Sequence, residues 1–366
     1  MLSLSERLRE RIQREGPISF CDWMTAALYD ETEGYYRRAG QRWGRAGDYR
    51  TSPERSILFA ATFARYFAKL YRELDSPREW FLVERGAGVG DFAEIVLSTL
   101  QLRSPDIFAV TKYVVDELSA DSQIKAVNRL ARFGAQVQFA RLETLDAVPV
   151  GVFFSNELLD AFAVHRVTSQ QGHLLEFFVG TTATKTFEWR LLEPSSERLE
   201  HYLSANDVQL EEGQIAEVNL AIENWLEQVS GKLKRGYLVT VDYGAEAREL
   251  YSSADHPSGT LRGFKQHRIV ANVLSNPGEQ DITTSVNWTH VMRTGELLGL
   301  ETVDFVRQDQ FLLRENLIEE LEQRVAESTD EAERLALRTS AREMILPDGM
   351  AASFQVLVQR KKLAQK

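Results

Sequence analysis

The chain has 366 residues, 43% of them apolar, and a formal net charge of −11. Its length suits one large domain or two small ones with a sizeable core. The negative charge disfavours nucleic acid as a partner, no run approaches the roughly 18 apolar residues of a membrane span, and Cys21 as the one cysteine excludes an internal disulfide and argues against a metal site built on thiolates.

The opening stretch MLSLSERLRERIQREG (1–16) mixes charge signs, carries Glu6, Glu10 and Glu15, and reads neither as a secretory signal nor as a transit peptide. A cytoplasmic location is therefore expected. Leu4, Leu8 and Ile12 fall on one face of a first helix, and 20–28 reads as a second. The polar, glycine-rich stretch 33–53 is long enough to be a functional loop. Apolar residues recur at helical spacing over 57–74.

From Trp80 the pattern changes to strands alternating with helices. WFLVE (80–84), YVVDE (113–117), 137–139, VGVFFSNE (150–157) and GYLVTVDYG (236–244) read as strands; 92–100, 122–133 and 214–233 read as helices. Such alternation predicts an α/β fold, a doubly wound, Rossmann-like parallel sheet covered on both faces. The stretch 162–189 reads as antiparallel strands, and the charged stretch 317–345 as a solvated helical element.

In VERGAGVGDF (83–92), a strand runs into Gly86, Gly88 and Gly90 and then a helix. Glycines let a backbone approach a ligand, and a helix start offers unpaired N–H groups. The spacing is G-x-G-x-G. Asp91 takes the place of the third dinucleotide glycine, where its charge would repel a pyrophosphate, and no Gly-Lys-Ser/Thr follows for a P-loop. An acid at the strand end before such a loop resembles motif I of the class I S-adenosylmethionine methyltransferases. That cofactor is cationic at its sulfonium and ammonium, so Glu84 and a second strand-end acid, Glu117, would favour it. Asp116 competes with Glu117 for the ribose hydroxyls. The plain alternative is a tight turn flanked by surface acids.

After the fourth strand, FFSNELLDAF (153–162) brings Asn156, Glu157 and Asp160 to the edge where open parallel sheets bind ligands. Two carboxylates there could clamp a guanidinium and take its proton as a methyl group transfers. The alternative is a helix cap, with Asn156 as the cap and Glu157 in the first turn.

The whole set, MTAALYDETEGYY (24–36), GDYRTSPE (47–54), VERGAGVGDF, SNELLDAF, VDYG (241–244), GTLRGFKQH (259–267) and PGEQDITTSVNW (277–288), resembles the MidA family of methyltransferases. The chain departs from the family's motif I at Arg85 and Ala87. Arg85 needs a partner beside the sheet. The resemblance implies a class I methyltransferase domain over 76–366, an N-terminal helical cap and cofactor loop over 1–75, and inserted substrate-binding elements near 161–213, 244–290 and 308–348. It implies S-adenosyl-L-methionine as cofactor, held by Glu84, Gly86, Gly88, Gly90 and Glu117, with Gly47, Asp48, Thr51, Ser52 and Pro53 closing over it. Tyr35 and Tyr36 would shape the entrance or simply pack a turn. Asp242, Tyr243, Asp281 and Thr283 would line the acceptor cleft, with Asn156, Glu157 and Asp160 catalytic; His267 is a weaker candidate base. The implied partner is a protein with an acceptor arginine, such as a respiratory complex I subunit. A homodimer is one allowed assembly. The rival reading is a cofactor-binding assembly factor without catalysis.

Overall fold

A computed structural model describes residues 2–38, 57–266, 268–346 and 353–363. The chain divides into two compact units. One takes the described residues of 1–49, 159–225 and 244–293; the other takes those of 50–158, 226–243 and 294–366. The helix Ile57–Glu73 belongs to the second unit, so the division does not follow a cut near residue 75.

The second unit is built on seven strands: β1 (Trp80–Arg85), β2 (Thr111–Asp116), β3 (Val137–Phe139), β4 (Gly151–Asn156), β5 (Gly236–Ala245), β6 (Leu300–Arg307) and β7 (Phe354–Lys361). Their spatial order is β6-β7-β5-β4-β1-β2-β3. The pairs from β5 to β3 are parallel, and β7 runs antiparallel between β5 and β6. The order reverses between β1 and β4, the switch point where such sheets open a crevice beyond their carboxyl ends. One face of the sheet, with Leu82, Phe154, Val241 and Val356, is covered by Ile57–Glu73 and Asp91–Arg103. Phe92 stacks on Phe154 at 4.3 Å and 6°, and Phe63 lies against both Phe154 and Phe311.

Two sequence expectations change. The stretch 214–233 is not one helix: Ile215–Val218 is a strand antiparallel to His165–Gln170, and the helix is Ala221–Lys232. The Asn219 side chain accepts the Ala221 N–H at 3.2 Å, so an Asx turn separates strand from helix. Nor is 317–345 wholly solvated. It forms two helices, Leu317–Glu327 and Glu331–Ile345, whose Leu317, Leu337, Ala341 and Met344 enter the core. Their charged residues hide a sparse apolar face, and the buried Glu320 is paired with Arg324 at 2.7 Å.

The first unit contains the helices Leu4–Glu15 and Phe20–Tyr29 and a sheet of Ile18–Ser19, His173–Thr181, His165–Gln170 and Ile215–Val218, with Phe187–Leu192 on the other side of His173–Thr181. The expected antiparallel strands within 162–189 are present. Ser3 and Glu6 form a capping box at the first helix.

Candidate functional site

The loop after β1 turns through three left-handed glycines, Gly86, Gly88 and Gly90. Two have distinct reasons to lack a side chain. Gly90 opens the helix Asp91–Arg103, and a Cβ there would stand 3.2 Å from that of Ala126, so glycine permits close helix packing. At Gly88, with φ +55°, a Cβ would enter open space. Among the described residues nothing crowds Gly88, and without a side chain its backbone is open to close approach. Asp91 is ion-paired with Arg129.

The two strand-end acids are treated differently from their neighbours. Glu84 is only 5% exposed, and its carboxylate accepts the Tyr113 hydroxyl at 2.7 Å. Burial pushes its carboxyl up to about 7; the Tyr113 bond opposes that rise and the charge of Glu117 adds to it. The same burial, with Glu84 beside it, holds the Tyr113 phenol well above the usual range and therefore protonated. Glu117 accepts the Gly88 N–H at 2.8 Å and the Ser119 N–H at 2.7 Å, so the second acid is tied to the middle of the glycine loop. Asp116 is engaged elsewhere, by Arg85 and Arg141 at 3.3 Å each and the Leu142 N–H at 3.1 Å. Arg85 therefore has its partner, and Glu117 is the acid held at the glycine loop.

Beyond β4, no helix begins at Glu157, which rules out the helix-cap alternative. Glu157 instead takes φ +50°, a conformation that costs a non-glycine residue energy and tends to mark functional positions. Its N–H donates to the Val241 carbonyl at 2.9 Å, and the Asn156 amide donates to its carboxylate at 3.0 Å. Asp242 is fully buried. It accepts the Leu158 N–H at 3.1 Å and the Tyr243 N–H at 2.9 Å, which gives it a scaffolding role between the tips of β4 and β5. Tyr243 packs edge-on against Phe354.

Asp160, Asp281, Thr283, Tyr35 and Tyr36 lie in the first unit. Asp281 and Thr283 sit on the strand Asp281–Thr283, antiparallel to Arg262–Lys265. Asp281 is 4% exposed and accepts the Tyr36 hydroxyl at 2.6 Å. Tyr35 is buried in a core with Trp23 and Ile282, so this part of GYY packs a turn. Asp160 is buried, and its carbonyl accepts the Thr284 N–H at 3.0 Å. Gly47, Asp48, Thr51, Ser52, Pro53 and His267 lie outside the described residues. Among the described residues, no group of three or more His, Cys, Asp or Glu is arranged to hold a metal, and no helix is long and apolar enough to cross a membrane. Sequence reasoning missed Tyr113, which looks like one more apolar residue in YVVDE. The available signal was its place on the strand next to Glu84.

The open glycine loop, a buried carboxylate whose hydrogen-bond donor among the described residues is a phenol, and a second acid on the loop fit a cationic, ribose-bearing cofactor. A family model described as "Putative S-adenosyl-L-methionine-dependent methyltransferase" matches residues 62–306. The chain is 25% identical to the mitochondrial protein arginine methyltransferase NDUFAF7 homolog of Drosophila melanogaster over 97% of this chain and 84% of that protein. It is 22% identical to the human mitochondrial protein arginine methyltransferase NDUFAF7 over 79% of this chain and 68% of that protein. A crystal structure of a COG1565 superfamily member from Burkholderia thailandensis, bound to S-adenosyl-homocysteine, superposes with a TM-score of 0.85 at 26% identity, covering 99% of this chain and 92% of that one. The strand order, the loop and the likeness over nearly the whole length agree: the chain belongs to this family of S-adenosyl-L-methionine-dependent methyltransferases, with a class I fold.

Proposed function

We propose that this methyltransferase modifies an arginine side chain of a partner protein, with Glu157 as the group that orients and deprotonates the guanidinium. The observation that carries the reading is the strained Glu157 at the tip of β4, its carboxylate held by the Asn156 amide where no helix needs it. The names of the relatives support the choice of arginine. A guanidinium is a poor nucleophile because it stays protonated. A carboxylate that localises its charge on one nitrogen and accepts the proton answers that difficulty.

S-adenosyl-L-methionine supplies an electrophilic methyl group when bound. Glu84, Gly86, Gly88, Gly90 and Glu117 are the residues assigned to it, together with Asp48, Thr51, Ser52 and Pro53. Glu84 answers the cationic end and Glu117 the ribose hydroxyls. Asp242 and Tyr243 are the acceptor-side residues proposed in the unit that holds Glu157, and Asp160, Asp281 and Thr283 those proposed in the other. The partly exposed free thiol of Cys21 fits a reducing cytoplasm, and assembly as a homodimer belongs to the same proposal.

The test is transfer of radiolabelled methyl groups to a lysate from a strain lacking the gene, followed by mapping of the labelled residue. Label on arginine supports the reading, and a respiratory complex I subunit is the acceptor to look for. Label on another residue type rejects the arginine assignment. Cofactor binding with no transfer to any protein favours the non-catalytic assembly factor.

A further inference from the structure

Glu84 and Tyr113 make an isolated polar pair in apolar surroundings. Glu84 lies opposite Val115 in the β1–β2 register, and Tyr113 sits two residues earlier on the same face of β2. On the other side its neighbour is Phe154 of β4, over which the helices place Phe63 and Phe92. Arg85 and Asp116 pair with each other, with Arg141 and with Glu143, and not with Glu84. Among the described residues, the titratable groups facing Glu84 are thus Tyr113 and, with the same sign of charge, Glu117. Among the described residues, its one hydrogen-bond donor is the Tyr113 hydroxyl. A buried carboxylate with one neutral donor is far from compensated.

We infer that Tyr113 is a positioning residue for cofactor binding: it holds the Glu84 carboxyl group in place, and the pair exchanges a proton for the cofactor's ammonium group. The inference rests on the cofactor assignment above. Without ligand, Glu84 retains its proton for part of the time near neutral pH. An ammonium group beside it favours the carboxylate, and the proton leaves to solvent. Binding therefore tightens as pH rises through the range in which Glu84 ionises, and levels off above it. The Tyr113 hydroxyl favours the ionised form, so losing it moves that range to higher pH.

The test is calorimetric titration of the full chain with S-adenosyl-homocysteine between pH 5.5 and 8.5, in two buffers of different ionisation enthalpy. Wild type should release a fraction of a proton on binding near pH 7. Tyr113→Phe should bind about 10-fold more weakly at pH 7, the scale of a hydrogen bond to a charged group, approach wild type at the alkaline end and remain folded, with no more loss of melting temperature than one buried hydrogen bond brings. Glu84→Gln should bind weakly without the pH dependence, and adding Tyr113→Phe to it should change little. Unchanged affinity and pH profile in Tyr113→Phe would overturn the inference, as would the same loss in both backgrounds. If Gly88→Val abolishes binding while Glu84→Gln binds like wild type, the cofactor assignment stands and the inference falls. If wild type binds no S-adenosyl-homocysteine, both fall.

Discussion

Tyr36 donates its hydroxyl to Asp281 at 2.6 Å, joining two motifs 245 positions apart. The same two segments meet again where a Cβ on Gly278 would lie 2.3 Å from the Glu33 carbonyl. GYY and PGEQDITTSV thus form one structural unit. Tyr36→Phe removes a short bond to a buried carboxylate and should cost about 1–3 kcal/mol. Denaturant unfolding measures this; an unchanged midpoint would show that the link is not structural.

Gly88→Val should abolish binding of S-adenosyl-homocysteine. The branched side chain would enter the open space above the loop from a backbone at φ +55°, which β-branched residues avoid. Wild-type affinity in calorimetry would remove the glycine loop from the cofactor site.

Two substitutions at Glu157 separate strain from chemistry. Glu157→Gln should lower methyl transfer by about 10²-fold or more, the scale of a lost acid–base group, with cofactor affinity nearly unchanged. Glu157→Gly should lose transfer as well, yet stabilise the fold by roughly 1 kcal/mol, because glycine accepts φ +50° without strain. Wild-type turnover of Glu157→Gln on a verified arginine substrate would move the base to another carboxylate. Asp160 would be examined first, since both Asp242 oxygens already accept backbone N–H groups.

His165 predicts a pH dependence in the first unit. Its Nδ1 lies 2.7 Å from Glu176. Burial alone would lower its pKa, but hydrogen bonds and charge from Cys21 and Glu176 outweigh burial and raise it to about 9. The folded state then holds the proton more tightly than the unfolded one. The resulting stability is complete below the ordinary value of 6.5 and lost as pH rises through about 9. Its size is on the order of 3 kcal/mol at most. Denaturant unfolding from pH 6 to 9.5 should show this decline, and Glu176→Gln should flatten it. An equal slope in the variant would refute the assignment.

Much of this protein is determined by local pattern. The strands ending in Arg85, Asp116 and Asn156, the glycine loop and the alternation with helices depend on side-chain periodicity and on glycine's freedom, properties each segment carries wherever it lies. The break at 219 was harder to see, because IAEV satisfies both periods and only pairing with 165–170 makes it a strand. The strands β6 and β7 escaped notice because they are mixed in polarity and stand outside the regular alternation of strand and helix. Other features exist only once distant segments meet. Nothing near Tyr113 marks it as the donor to Glu84, and nothing near Asp116 and Glu117 tells which pairs with Arg85 and which holds Gly88. Those choices follow from strand register and from which face each side chain takes. Charge and hydrogen bonding act through space over a few ångströms, so only the tertiary structure decides which acid is neutralised by arginines and which is held on the glycine loop.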